Sequence, residues 1–402
     1  MWICLLEKPW NSWKTTMISY LDAGESHGNS LCAIIDGIPA GLKIDENFIN
    51  HLLYLRQSGY GRGGRQKIEK DKIEILSGVR FGETIGSPIT LKIKNNDYEN
   101  WQDIMAPFAT FTSQKQITKP RPGHVDLVGY LKYNRNDMRD CLERSSARQT
   151  AIRVAVGAIC ELCLKEVGVE FYNFVSAIGK VRANINYTSL DEIKNSSFNE
   201  LFCPDKKALD EMKKAIDEAI KNNDSLGGVA EVLIKGVVAG IGSYKWDKKL
   251  DARIALATMS VQAIKAVSIG EGVENASKYS SEVQDEIYYD LNSKEYRRYT
   301  NRLGGIEGGI SNGENIIVKA FMKPIPTTRK GLKSIDVKTK EPALSSYERS
   351  DVCAVSAASV VVRAAIAYEI LNAYLEKFGG DCISEFKRNV DNYKEYLKTK
   401  WI

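Results

Sequence analysis

The chain has 402 residues, with 56 Lys+Arg against 51 Asp+Glu, a formal charge of +5, a hydrophobic fraction of 43% and a charged fraction of 27%. That balance excludes a disordered or collagen-like polymer and describes a globular chain of one large domain or a few smaller ones. The longest apolar stretch, residues 352–362, is interrupted by serine and ends at Arg363, short of the roughly 18 to 20 residues of a bilayer span, so no membrane partner is expected.

Residues 1–16 (MWICLLEKPWNSWKTT) read as an N-terminal extension outside the fold, because the apolar run from Trp2 to Leu6 is too short for a signal-peptide core. Met17 opens a cleaner pattern: residues 18–21 alternate toward Gly24 as a strand, and residues 31–37 read as another. Asp45 is placed to cap a helix carrying Phe48, Ile49, Leu52, Leu53 and Leu55, and residues 73–76 and 89–93 read as strands. Residues 184–223 are polar and read as a solvated excursion with a helix over 206–221. Residues 227–242 follow as strand material, then a helix from near Asp251 through Ala257, Val261 and Ile264.

Two apolar helices, 151–164 and 352–371, each follow a Glu-Arg-Ser triplet, Glu143-Arg144-Ser145 and Glu348-Arg349-Ser350, which suggests a weak internal duplication. Serine there supplies an N-cap, and a helix N-terminus beside arginine is a ready anion site. Residues 381–402 read as a polar C-terminal tail or helix, leaving 17–380 as a single domain.

Three histidines, His27, His51 and His124, are too few for a multi-histidine metal site, and Cys160-x-x-Cys163 has no second pair to complete a zinc cluster. No metal is expected. Eight scattered cysteines fit reduced thiols in the cytoplasm, and Cys160 and Cys163 sit in an apolar helical pattern as small buried hydrophobes.

Three motifs point away from their usual owners. Gly24-Glu25-Ser26-His27-Gly28 spells a nucleophile elbow, but a strand follows it where a serine hydrolase needs a helix. Gly59-Tyr60-Gly61-Arg62-Gly63-Gly64 spells a dinucleotide fingerprint, but it follows a helix and precedes a charged strand over 67–76. The basic run from Arg56 to Lys72 has almost no interleaved aromatics, so a small polyanion fits it better than nucleic acid. Glycines there permit close approach, and Arg56, Arg62 and Arg65 can converge on phosphate or carboxylate. His27 between glycines, and His124 after Arg121-Pro122-Gly123, sit in turns suited to acid–base work beside arginine, whereas His51 lies on the amphipathic helix.

The strings GESHG, RQSGYGRGGR, ILSGVRFGETIGSPI, RPGHVDLVG, ERSSAR, GGIEGGISNGENI, KPIPT and ERSDVCAV, in this order and spacing, resemble the chorismate synthase family from about Met17 to Gly380. The resemblance implies an α+β sandwich, a helical core between antiparallel β-sheets, assembled as a homotetramer. It implies a carbon–oxygen lyase of the shikimate pathway that forms chorismate from 5-enolpyruvylshikimate 3-phosphate by anti-1,4-elimination of phosphate, the last common step of aromatic amino acid biosynthesis. A non-catalytic flavin- or phosphate-binding module is the alternative.

The family requires reduced FMN although the reaction has no net redox change. No flavin-reductase insertion is visible, so the resemblance is to the monofunctional, bacterial type, with NADPH acting only indirectly through an external reductase. By position, His27 matches the histidine that protonates the departing phosphate, His124 the one near the flavin N1 and C2 carbonyl, and Asp351 the acid that helps deprotonate flavin N5. Ser26 and Ser146 resemble serines that support proton transfer. FMN contacts fall on Arg144, Ser145, Ser146, Gln262, Ala263, Gly308, Lys323, Pro324, Ile325, Pro326, Thr327 and Arg349. Arg56, Arg62, Arg65, Arg121 and Arg144 are expected on the anions of the substrate or of NADP. Gln149 stands where the family commonly has an acid, and Lys265-Ala266-Val267-Ser268 departs from its usual run.

Overall fold

The computed structural model describes residues 17–64, 68–108, 110, 112 and 114–401. The expected extension 1–16 and Arg65 lie outside them.

Strands β1 (Ser19–Ala23), β2 (Ser30–Asp36), β3 (Glu74–Ile75) and β4 (Ile89–Lys94) form an antiparallel sheet in the order β1-β2-β4-β3. Its inner face follows from alternation: Leu31, Ala33 and Ile35 pair directly with Ile93, Leu91 and Ile89, and all six are buried. Before it is complete the chain forms helix α1 (Glu46–Gln57), capped as expected by Asp45, whose carboxylate accepts from Phe48 N at 3.1 Å.

Beyond β4, helices α2 (Asp126–Tyr133) and α3 (Arg139–Ser145) lead to α4 (Thr150–Lys165), which lies on that inner face. A second antiparallel sheet, β5 (Glu170–Ile178), β6 (Val181–Arg182), β7 (Gly228–Lys235), β8 (Ile264–Ile269) and β9 (Ile316–Met322), has the order β8-β9-β7-β5-β6. Between β6 and β7 lies α5 (Lys206–Lys221), and between β7 and β8 lies α6 (Leu250–Met259). Helix α7 (Val355–Phe378) packs on β5 and β7 and against α4, so the expected sandwich is present: sheet, two helices, sheet. Both central helices are apolar almost all round, as helices buried on every side are. They cross at Gly157, where a Cβ would lie 2.4 Å from Ala364 Cβ.

Three expectations are corrected. The 184–223 segment is not a solvated excursion: Leu201, Phe202, Cys203, Met212 and Ile216 enter the main core, and Ile193 covers Phe174 and Leu233 on the far face of the second sheet. The helix from Asp251 stops at Met259, and Ile264 begins a strand, because Ala263 turns the chain with a left-handed φ of 66°. The 67–76 strand shrinks to Glu74–Ile75 among the described residues. Helix α7 is long and apolar enough to cross a bilayer; it is the core helix of the sandwich, 78% buried over its apolar window. Cys160 and Cys163 are buried in α4, where desolvation pushes both thiols up, as expected of inert core residues. The C-terminal helix α8 (Ile383–Trp401) buries Phe386 and Val390 in the same core.

Candidate active site

Helices α4 and α7 both start at one cavity of about 580 Å³, where Ser145 to Arg148 lead into α4 and Glu348 to Ala354 lead into α7. The unpaired N–H groups and positive dipole ends of two helices favour anions there. The triplets do not cap as expected: Ser145 ends α3, and Ser350, five residues before α7, donates its Oγ–H to Thr327 O at 3.1 Å. Ser146 supplies a cap instead, accepting from Arg148 N at 3.3 Å.

The turn joining β1 to β2 carries Ser26 and His27, with Gly24 at φ 106° where a Cβ would meet Ser30 O. His27 Nδ1–H donates to Glu143 Oε1 at 2.8 Å, and its backbone N–H donates to Glu143 Oε2 at 2.7 Å. The Trp101 ring stacks on the imidazole at 4.0 Å. A carboxylate can only accept, so the Nδ1 proton is fixed and Nε2 is left for a ligand. Burial alone would raise the Glu143 carboxyl, but hydrogen bonds from His27 and the charges of His27 and Arg139 hold it below the usual range. Ser26 Oγ, fully buried, donates to Ser146 Oγ at 3.0 Å, while the His27 Nδ1–H is taken by Glu143.

His124 repeats the arrangement two residues before its own carboxylate. Its Nδ1–H donates to Asp126 Oδ1 at 2.6 Å, while Arg121 donates to both Asp126 oxygens, at 2.8 and 2.9 Å, and to Thr327 Oγ1 at 2.9 Å. The loop 121–124 is thereby tied to the segment after β9. Asp351 closes the ring of groups: Oδ1 accepts from Gly63 N at 2.6 Å, and Oδ2 pairs with Arg62 Nη1 at 3.3 Å.

Within the basic run Arg56 turns inward, whereas Lys70 and Lys72 are exposed. Arg56 is buried, donating to Thr150 Oγ1, Asp71 and Ala147 O, and desolvation lowers it to about 10, against the attraction of Asp71 and with the repulsion of Arg148. Asp71 bridges Arg56 and Arg148, and Arg148 also approaches Glu69 at 3.6 Å. Lys323 Nζ donates to Gly123 O at 3.0 Å, and desolvation with the charge of Lys265 lowers it.

Of the residues singled out from sequence, Ser26, His27, Arg56, Arg62, Arg121, His124, Ser145, Ser146, Gln262, Ala263, Lys323, Ile325, Pro326, Thr327, Arg349 and Asp351 line this cavity together. Arg144 instead reaches Asp22, and Pro324 and Gly308 lie outside the lining, Gly308 in a left-handed turn with φ 60°. The sequence reading missed Trp101, Glu143, Asp126, Arg148 and Glu69. Two had a signal: Asp126 follows His124 at i+2, and Glu143 heads the first triplet.

Comparison with known proteins places this architecture. A crystal structure of chorismate synthase superposes with a TM-score of 0.77 at 41% identity, covering 95% of this chain and 98% of that one. The fold is therefore that of a lyase built as a helical core between antiparallel sheets. A sequence model described as "Chorismate synthase" matches residues 18–375. The chorismate synthase of Geobacter sulfurreducens is 52% identical over 391 residues, covering 95% of this chain and 100% of the relative. That of Caldicellulosiruptor bescii is 55% identical over 378 residues, covering 92% and 98%. The chain belongs to the chorismate synthase family.

Proposed function

We propose that the chain converts 5-enolpyruvylshikimate 3-phosphate to chorismate, a 1,4-elimination in which phosphate and a ring proton leave without net oxidation. The observation that carries this reading is the pair of imidazoles, each held at Nδ1 by a buried carboxylate, on the wall of one cation-rich cavity. With Nδ1 engaged by Glu143, His27 delivers a proton from Nε2 to the departing phosphate oxygen. Arg62, Arg121 and Arg349, with the N-termini of α4 and α7, meet the phosphate and carboxylate charge. The touching hydroxyls of Ser26 and Ser146 give a proton a route beside His27. Asp351, held by Gly63 and Arg62, keeps a carboxylate at the opposite motif.

The wall fits a flavin. Gln262 Oε1 and Arg62 Nε are buried with no hydrogen-bond partner among the described residues, and such groups call for a polar ligand. Ala263, next to Gln262, keeps a left-handed backbone, the kind of local strain retained at functional sites. Ser145, Ser146, Gln262, Ala263, Lys323, Ile325, Pro326, Thr327 and Arg349 are the residues that would hold FMN. Bound in its reduced form, FMN would supply transient electron donation and accept the ring proton. His124 orients a donor or acceptor toward it through the Asp126 and Arg121 anchor. NADPH enters only through an external reductase.

We further propose a cytoplasmic homotetramer. All the described cysteines are free thiols, and Leu21 and Ile34 leave apolar surface on the outer face of the first sheet, as association surfaces do. The test is an anaerobic assay with the substrate and chemically reduced FMN, followed by chorismate absorbance. Product is expected there and absent with oxidised FMN; no product with reduced FMN contradicts the proposal.

A further inference from the structure

The two Glu-Arg-Ser triplets meet on one side chain. Arg139 Nη1 donates to Glu143 Oε1 at 3.3 Å and Nη2 to Glu348 Oε1 at 3.1 Å, so one guanidinium joins the glutamates of both triplets. Its Nε donates to Lys115 O at 2.7 Å, and its Cζ lies 4.9 Å from the centroid of the Trp101 ring. Arg139 is buried. It therefore touches both groups that hold His27: Glu143, which fixes the ring in its plane, and Trp101, which packs its face. A lysine cannot reproduce this, because one ammonium lacks the flat fork that reaches two carboxylates at once.

We propose that Arg139 is a positioning residue: by bridging Glu143 and Glu348 beneath Trp101 it fixes His27 with Nδ1 protonated and Nε2 presented to the cavity. The inference rests on the elimination reading, in which His27 Nε2 carries the proton. A small displacement of an acid–base group costs rate more than binding. Arg139 touches no ligand-facing atom of the imidazole, so its loss leaves substrate affinity largely in place. Glu348 belongs to the same unit, so its removal adds little once Arg139 is gone.

The test is steady-state kinetics of R139M, R139K, E348A and the R139M/E348A double variant, with ¹⁵N-histidine spectra of each. The chain's three histidines make those spectra simple to assign. R139M is expected to lose about 10- to 100-fold in kcat with little change in KM, R139K to recover part of it, and the double variant to match R139M. The His27 ring resonances are expected to leave the Nδ1–H form in R139M while those of His51 stay in place. Unchanged kcat together with unchanged His27 resonances in R139M overturns the proposal. If R139M does not fold, E348A reads the same bridge, and the same double null there overturns it. Absence of chorismate from the unmodified protein would sink the elimination reading instead, while the spectra would still report whether Arg139 fixes the ring.

Discussion

The backbone N–H of Gly63 donates to Asp351 Oδ1 at 2.6 Å, which binds the glycine–arginine loop after α1 to the segment that opens α7. The loop approaches so closely that a Cβ on Gly63 would lie 2.8 Å from Ser350 O. G63A is therefore expected to push the loop off Asp351, lower stability by about 1–3 kcal/mol and weaken ligand binding. Urea unfolding and flavin titration check both effects; a wild-type flavin affinity would show that the contact does not shape the site.

His27 and His124 hold their anchors through Nδ1 and leave Nε2 for chemistry. H27A and H124A are each expected to retain FMN binding and to lose more than about tenfold in turnover, the lower edge of general acid–base effects. Fluorescence titration of FMN beside the anaerobic assay separates the two. Undiminished turnover in both variants contradicts the assignment.

Asp126 is buried, which alone would raise its carboxyl, yet hydrogen bonds and charge from His124 and Arg121 hold it well below the ordinary range. A carboxyl lowered on folding binds fewer protons folded than unfolded. It thus stabilises the fold above the ordinary value of about 3.9 and loses that contribution as pH falls toward the folded value. D126N also strands the buried Arg121 guanidinium, at an expected cost of about 3–5 kcal/mol at neutral pH. Unfolding measured across pH should show a shallower acid slope in D126N below about pH 4. Equal slopes would mean that Asp126 does not couple folding to protons.

Gln262 Oε1 is buried at the cavity wall with no hydrogen-bond partner among the described residues. Replacing an unsatisfied polar group with an apolar one of similar shape removes its desolvation cost, about 1–3 kcal/mol. Q262L is therefore expected to raise the stability of the flavin-free protein and to lower its affinity for FMN. Thermal unfolding with and without FMN reads both signs, and tighter flavin binding in Q262L would exclude the residue from the flavin site.

Local chemistry was legible in the sequence. The helix expected over 206–221 is α5 to the residue, capped by Asp205, and the Asp45 cap holds α1 as its spacing implies. Alternation gave the strands of the first sheet. The end of α6 at Met259 was hidden because alanine seldom takes the left-handed conformation that turns the chain at Ala263 into the next strand. The 184–223 segment was misjudged because its polar composition masks Leu201, Phe202 and Cys203, buried by a sheet face that only the tertiary structure supplies. At the site, individual residues stood out by motif, but their partners did not. Glu143 is 116 positions from His27, and Asp71 is 77 from Arg148, separations at which neither periodicity nor spacing carries information.

The most direct measurement is a crystal structure with FMN and 5-enolpyruvylshikimate 3-phosphate both bound. The account predicts the isoalloxazine against His124 and Gln262, and a phosphate oxygen of the substrate within about 3 Å of His27 Nε2. Either ligand seated outside the cavity, or the phosphate out of reach of that nitrogen, would contradict it.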